Sequence, residues 1–582
     1  MEKEYKPSEK EQETIDKVND MFQVAKKARE STEKIWRESE ALYMGHHWEG
    51  MNMPEFKNQI TLEFIASAID TMIPVLSSRP PRIDVIAIGN DQKSQNYADT
   101  AQAVMDEFWM IRDMQNLVSE WLLDYLIYGN GILKVHWNPD DDLPDCDVVD
   151  PFNFYTNPSA TKLENADWCL IATPTPIWRL KEMYENGKYV QSESNLSKHE
   201  ALKMNQSNTG DSYVQVTDTQ KKETNYFKDK SHAMKDLEER ALLIEVYSRG
   251  HYKEDDDNYI PGQIKMCAVA NNVLLYEGQS KYPFFNKKNH IGHPFPFVNI
   301  KNGGSAHSFW GKPEPRRLKS INLAMDRVIS QTMDNIHMTA NPMWIVDQNT
   351  DVQDQITNKP GQIIRKRGAG QVSMQQPASM PNYVFNFYQQ LENVFETISG
   401  VNKATQGKDS SNVTSGVQAQ IYRQASTTKI DYKSRAVEKA IQCLGTMWMA
   451  MFKNLGTTVL NVPYYDPEGN QEVRSVMGIM FADFDMHVRC RAGSMMPENK
   501  QFVENKIMQL AQLGIVTDPE YIVEHMNLPA KERLIALMRQ QKEEAKNAEN
   551  PLGQYGNTED EVYKNLRDNP DQMANLPPEV TG

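Results

Sequence analysis

The residues that could carry chemistry come first. Ser399 to Asp409 reads SGVNKATQGKD, and a phosphate-cradling loop needs G-x-x-x-x-G-K followed by a hydroxyl. Here Gly400 and Gly407 stand two residues too far apart, and Asp409 occupies the hydroxyl position. That excludes a nucleotide site. Asp140, Asp141 and Asp142, with Asp145 and Asp147, offer oxygens suited to a divalent cation, as does the run Asp255 to Asp257. Neither has the turn glycine and terminal Glu of a calcium loop, and solvated turn carboxylates are the commoner use of such runs. His46 and His47 are adjacent, and adjacent helical side chains diverge by about 100°, which suits chelation poorly. Ser305, within Asn302-Gly303-Gly304-Ser305, lacks the G-x-S-x-G elbow of a hydrolase, and no HExxH is present. No metal and no cofactor is expected.

Three basic groups remain. Arg316, Arg317 and Lys319 open a long helical pattern, where cations oppose the helix dipole and so point to a partner or to ordinary exposure. Arg365, Lys366 and Arg367 precede Gly368-Ala369-Gly370 and read as a docking surface or a solvated loop tip. The loop Asn402 to Ser415 places Lys403 and Lys408 among small polar residues that include Gln406 and Asn412. Such a loop can touch phosphates adaptably, but it reads sequence poorly.

Chain length and charge limit what these groups can serve. The 582 residues predict roughly four domains at about 150 residues each. With 39% hydrophobic and 24% charged residues, the composition is that of a soluble globular protein. No apolar run approaches the ~18 residues needed to span a bilayer, and the first residues lack a secretory apolar core. Cys146, Cys169, Cys267, Cys443 and Cys490 are scattered and never form CxxC, which predicts reduced thiols and no zinc ribbon. The net charge of −16 does not suit tight wrapping of nucleic acid. It is compatible with a surface past which nucleic acid slides.

The elements that must position these residues follow from periodicity. Helical spacing predicts helices over Glu9 to Tyr43, Ile60 to Leu76, Tyr97 to Trp109 and Met114 to Tyr128, the last closing on Tyr128-Gly129-Asn130-Gly131. The period then changes to two. Strands are expected at Ile132 to Trp137, Cys146 to Val149, Trp168 to Thr173, Leu242 to Ser248 and Ile264 to Tyr276, with hairpin chemistry at Asn271-Asn272. Residues 187–235 carry little apolar pattern and read as a surface insertion. His290 to Phe297 reads as a Pro-broken connector.

A helix is expected from Pro313 to Ala340, about 40 Å long, and a return helix from Asn382 to Ser399 ending at Gly400. Short strands at Trp344 to Val346 and Gln362 to Ile364 lie between them. Ser415 to Leu455 reads as a third long helix and Phe481 to Arg491 as a strand. Glu498 to Leu513, Pro519 to Met526 and Ala530 to Ala548 read as short helices, and 549–582 as a polar tail.

The order of these parts resembles the portal, or head–tail connector, proteins of tailed double-stranded DNA bacteriophages. Tyr43-Met44-Gly45 with Trp48, the run Arg79 to Val85, Asp124 to Gly131, and the VDPFNFYTNPSA segment from Val149 to Ala160 carry the first half of that resemblance. In the last of these, Asn157 stands where Asp is commoner. His307 to Gly311, Thr397 to Val401 and Thr414-Ser415-Gly416 carry the second half.

The resemblance implies an α+β, mainly helical subunit with wing, stem, clip and crown regions, assembling as a ring, commonly dodecameric, around a central channel. Residues 1–311 would be the wing, 312–340 the stem helix, 341–381 the clip and 382–400 the return helix. Residues 401–416 would form the tunnel loop, with Lys403, Gln406, Lys408 and Asn412 facing DNA. Residues 417–497 would return to the wing, 498–548 form the crown and 549–582 the tail. Arg365, Lys366 and Arg367 would dock partners, and Arg316, Arg317 and Lys319 form a stem basic cluster. It further implies a non-enzymatic protein at a capsid vertex of the virion, assembled in the host cytoplasm. Its partners would be terminase, head–tail adaptors, major capsid protein and scaffold, with double-stranded DNA passing without sequence specificity and no membrane involved. The alternatives are another virion structural protein, such as a tail adaptor or minor capsid protein, and a nuclease using Asp140 to Asp147.

Overall fold

The computed structural model describes residues 5–191, 240–250, 264–285, 291–347, 370–401, 416–490, 507–524 and 538, apart from positions 55, 79, 82, 89–91, 341–342, 376–379, 466–470, 483, 485 and 516–518. Two compact units divide the chain, Met1–Met496 and Pro497–Gly582.

Helix α1 (Glu9–Tyr43) starts on a capping box: the Ser8 hydroxyl accepts from Glu11 N and the Glu11 carboxylate accepts from Ser8 N. It ends at Gly45, whose φ of +80° is the left-handed conformation a helix terminus favours. Its buried stripe divides between two cores. Ile15, Val18, Phe22 and Ala25 lie against the sheet residues Tyr155, Leu170, Ile244 and Val269. Trp36 and Leu42 enter the helical core instead. Between them sits Arg29, 3% exposed, donating to the carbonyls of Pro151, Phe152 and Phe154. Glu33 supplies its carboxylate at 2.8 Å, and the Tyr155 ring lies 3.6 Å beneath the guanidinium. One side chain thus fastens α1 to the VDPFNF turn.

Helices α2 (Phe64–Leu76), α3 (Gln92–Ile111) and α4 (Met114–Ile127) follow, with strand β1 (Ile83–Ala87) between the first two. Helix α2 begins four residues later than periodicity suggests, because Ile60 and Leu62 run extended and give their N–H groups to side chains elsewhere. Strands β2 (Asn130–Asn138) and β3 (Leu143–Val149) form a three-stranded antiparallel sheet with β9 (Phe297–Lys301), in the order β3-β2-β9. The connector expected at His290 to Phe297 therefore runs into a strand.

The second sheet is antiparallel, ordered β4-β5-β6-β7-β8, from β4 (Phe154–Thr156), β5 (Trp168–Pro176), β6 (Arg240–Arg249), β7 (Ile264–Ala270) and β8 (Val273–Gln279). A short helix, α5 (Ile177–Met183), follows β5. The stretch from Ile264 to Tyr276 turns at Asn271-Asn272 as its hairpin chemistry suggests, into β7 and β8. Asn271 and Asn272 at its tip have φ of +45° and +60°, the two positive values a tight primed turn needs.

Helices α6 (Glu314–Ala340) and α7 (Tyr383–Ser399) form the long pair, and Gly400 closes α7 with φ of +76°. Strand β10 (Met343–Val346) pairs with β11 (Val372–Gln375). The Gln362 to Ile364 segment expected as a strand lies outside the described residues. Helix α8 (Gly416–Leu455) runs unbroken for 40 residues. Val437, Ile441, Leu444, Trp448 and Met451 on it are buried, and Trp448 and Phe452 meet Phe108 of α3 edge to face.

A hairpin of β12 (Leu460–Tyr465) and β13 (Gln471–Val476) comes next. Within the stretch expected as a strand at Phe481 to Arg491, β14 (Met486–Cys490) is paired with β1. Phe481 ends a 3-10 turn and is fully buried, so the core takes its ring and the alternation starts later. In the second unit, residues 507–512 and Pro519–Glu524 are helical. The mixed α+β class is as expected. All five cysteines are free thiols.

Candidate functional site

The base of α6 is where chain segments distant in sequence converge. The Tyr128-Gly129-Asn130-Gly131 turn supplies Gly129 with φ of +86°, and its backbone lies directly against Gly311. Asn130 Oδ1 accepts from Gly311 N at 2.6 Å, while Asn302 N donates to the Gly129 carbonyl at 2.8 Å. Asn302 Nδ2 then donates to Glu314 Oε1 at 2.9 Å, and Lys433 of α8 reaches both Asn302 Oδ1, at 3.0 Å, and the Glu314 carboxylate. Glu314 is 1% exposed. Burial alone would raise its carboxyl, but the Lys433 ammonium, Arg317 and the Asn302 amide hold it below the usual carboxylate range. Its negative charge also sits in the first turn of α6, the position the helix dipole favours.

Arg317 and Lys319 at this helix start have partners within the chain. Arg317 pairs with Glu314 at 3.0 Å, and Lys319 pairs with Glu38 of α1. Arg316 is exposed. Arg365, Lys366 and Arg367, and likewise Lys403, Gln406, Lys408 and Asn412, lie outside the described residues. So do Asp255 to Asp257. Three carboxylates of the Asp140 loop meet groups of the protein itself. Asp141 and Asp145 meet Arg112 at 3.0 and 3.1 Å. Asp142 Oδ2 accepts from Thr457 N, Thr457 Oγ1 and Thr458 N, capping the turn that follows α8. Among the described residues, no group of three or more His, Cys, Asp and Glu has metal-binding geometry.

A second feature lies along α6. Asn322, Asp326, Ser330 and Asp334 step by four and face the extended segment 58–62. Leu62 N donates to Asp326 Oδ1 at 2.9 Å, Ile60 N to Ser330 Oγ at 3.0 Å and Asn58 N to Asp334 Oδ1 at 3.0 Å. Asn322 Nδ2 donates to the Leu62 carbonyl at 2.9 Å. Four helical residues rise about 6.0 Å and two extended residues about 6.6 Å, so every second N–H finds every fourth side chain. The apolar stripe of α6 was the visible signal in the sequence. The polar stride of four beside it is the signal that marks the strap.

Beyond the strap the helix pair becomes exposed and stays apolar. Ile336 and Met338 on α6, and Tyr383, Phe385 and Phe387 on α7, are all exposed, Tyr383 by 70%. An exposed run of this kind is what an assembling surface presents.

A family model described as Phage SU10 portal protein matches residues 140–532, more than half of the chain. The chain belongs to this phage portal family. No curated protein sequence matches it. The portal match includes the second sheet, the α6–α7 pair, all of α8 and the hairpin after it. Helices α1 to α4, and with them the Gly129 turn and the 58–62 strap, precede the matched region. Among the described residues of this portal protein, no helix is long and apolar enough to cross a membrane.

Proposed function

We propose that the chain is the subunit of a portal ring, commonly dodecameric, at one vertex of the capsid, through which the genome enters during packaging and leaves at ejection. The exposed apolar band of the α6–α7 pair carries this reading: one subunit leaves it uncovered, and side-by-side copies would cover it. In this assignment 312–340 and 382–400 are the stem, 341–381 the clip and 401–416 the tunnel loop. Residues 1–311 and 417–497 make the wing, 498–548 the crown and 549–582 the tail. Terminase, and later head–tail adaptors, would dock on the clip around Arg365, Lys366 and Arg367, with capsid protein and scaffold meeting the wing. Double-stranded DNA would pass Lys403, Gln406, Lys408 and Asn412 without sequence reading, through a net-acidic subunit that lets phosphate slide. The subunit would do no chemistry itself.

Negative-stain electron microscopy of the purified full chain, with a nuclease assay beside it, tests this. Closed rings with a central hole and no nuclease activity are expected. A monomer with divalent-dependent nuclease activity would overturn the proposal.

A further inference from the structure

His47 stands just past α1, at the upper end of the strap. Its side chain and that of Asp326 are both fully buried, with Nδ1 2.6 Å from Asp326 Oδ2. The other ring nitrogen, Nε2, lies 3.0 Å from the Leu42 carbonyl oxygen. A carbonyl oxygen only accepts. Asp326 is also placed to accept: Leu62 N and Asn322 Nδ2 point donors at its oxygens. Two acceptors facing two ring nitrogens require a proton on each, and only the imidazolium has both. A neutral ring protonated on Nε2 keeps the Leu42 contact and turns the Nδ1 lone pair toward Asp326 at 2.6 Å, with the Asn322 amide nitrogen, farther off at 3.3 Å, as the donor left to it.

Asp326 is at the same time the top rung of the strap ladder, since its Oδ1 holds Leu62 N. We propose that His47 is a protonation-dependent latch, closing segment 58–62 onto α6 through Asp326 when charged and releasing the Leu62 rung when neutral.

The surroundings agree with this assignment. Burial works against the charged ring, but the Asp326 hydrogen bond and charge, the Leu42 carbonyl and the charge of Glu63 outweigh it, so the pKa sits above the ordinary 6.5. Helix α1 contributes the Leu42 carbonyl, α6 contributes Asp326 and the Asn322 amide, the segment before α2 contributes Glu63, and Tyr388 of α7 lies within the field of Asp326. For a cation whose native pKa is raised, the stabilisation is complete below the ordinary value. It disappears as the pH climbs through the native one.

Hydrogen exchange of the full chain, corrected for intrinsic rates and followed from about pH 6 to about pH 9, reads this latch. Protection of peptides covering 58–62 should fall by about tenfold for each unit by which the native pKa exceeds the ordinary value. His47→Gln keeps a donor for Asp326 but does not titrate, and should leave that protection flat with pH. Asp326→Asn removes the charge that holds the proton and should move the loss to lower pH. Asp334→Ala should open the Asn58 rung at every pH while Leu62 keeps its pH dependence. Flat protection in the wild-type chain would overturn the proposal, and so would an unchanged slope in His47→Gln or an unmoved transition in Asp326→Asn.

Discussion

Gly129 and Gly311 meet backbone to backbone at the foot of α6. A Cβ on Gly129 would lie 2.8 Å from the Gly311 carbonyl carbon, and a Cβ on Gly311 would collide with the Gly129 carbonyl oxygen. The two loops they belong to are far apart in sequence, before β2 and after β9, so this contact fixes where the long helix starts.

Gly311→Ala should therefore destabilise the chain by about 3 kcal/mol, the range of a forced backbone shift in a packed region. Gly303→Ala is the control: its φ is +54° but nothing lies near the added Cβ. That variant should lose only the left-handed backbone cost of about 1–2 kcal/mol. Thermal unfolding of the two variants side by side checks the difference.

The buried Glu314–Lys433 pair should behave asymmetrically. Lys433→Met strands the Glu314 carboxylate with Arg317 and Asn302 alone, and a cost of about 3 kcal/mol is expected. Adding Glu314→Gln removes the stranded charge and should return part of it, giving a coupling of about 1–3 kcal/mol in a double-mutant cycle. Chemical unfolding of the four proteins measures it.

Acid should weaken the fold partly through His293. Burial, with a smaller push from Arg249, lowers this imidazole to about 4, and its Nδ1 has no hydrogen-bond partner. The native state keeps the ring neutral while the unfolded chain protonates it near the ordinary 6.5. Stability is thus intact above about pH 6.5 and falls as the pH drops toward 4, by about 3 kcal/mol. His293→Leu should flatten that limb of the stability profile.

Alanine at Lys403 and Lys408 should weaken DNA retention by assembled rings, without blocking their assembly. The salt slope of binding should drop by about one for each lysine removed. Loss of rings instead would make these lysines structural.

How much of this was readable in advance depended on the reach of each interaction. Helices α1, α6, α7 and α8 announce themselves because a 3.6-residue period repeats over many turns, and Gly45 and Gly400 end two of them by local backbone geometry. The Asn271-Asn272 hairpin is likewise local. Strand β9 was hidden by the prolines just before it. The pairing of β10 with Val372–Gln375 was not legible, because four-residue strands carry no pairing information of their own.

The site was legible in outline only. Lys319 draws its partner Glu38 from 281 positions away, and Lys433 reaches Glu314 across 119, distances at which sequence spacing says nothing. Periodicity also favoured helix over 60–63, because the side chains that hold that segment extended belong to α6.

The strap and α6 keep unequal step lengths, about 6.6 Å against 6.0 Å, like the two scales of a vernier. Each rung adds about 0.6 Å of drift, so three rungs stay aligned, and a much longer zipper would slip out of phase. Adding two residues to the strap would move it by one full graduation. Adding one would turn every N–H away from the helix.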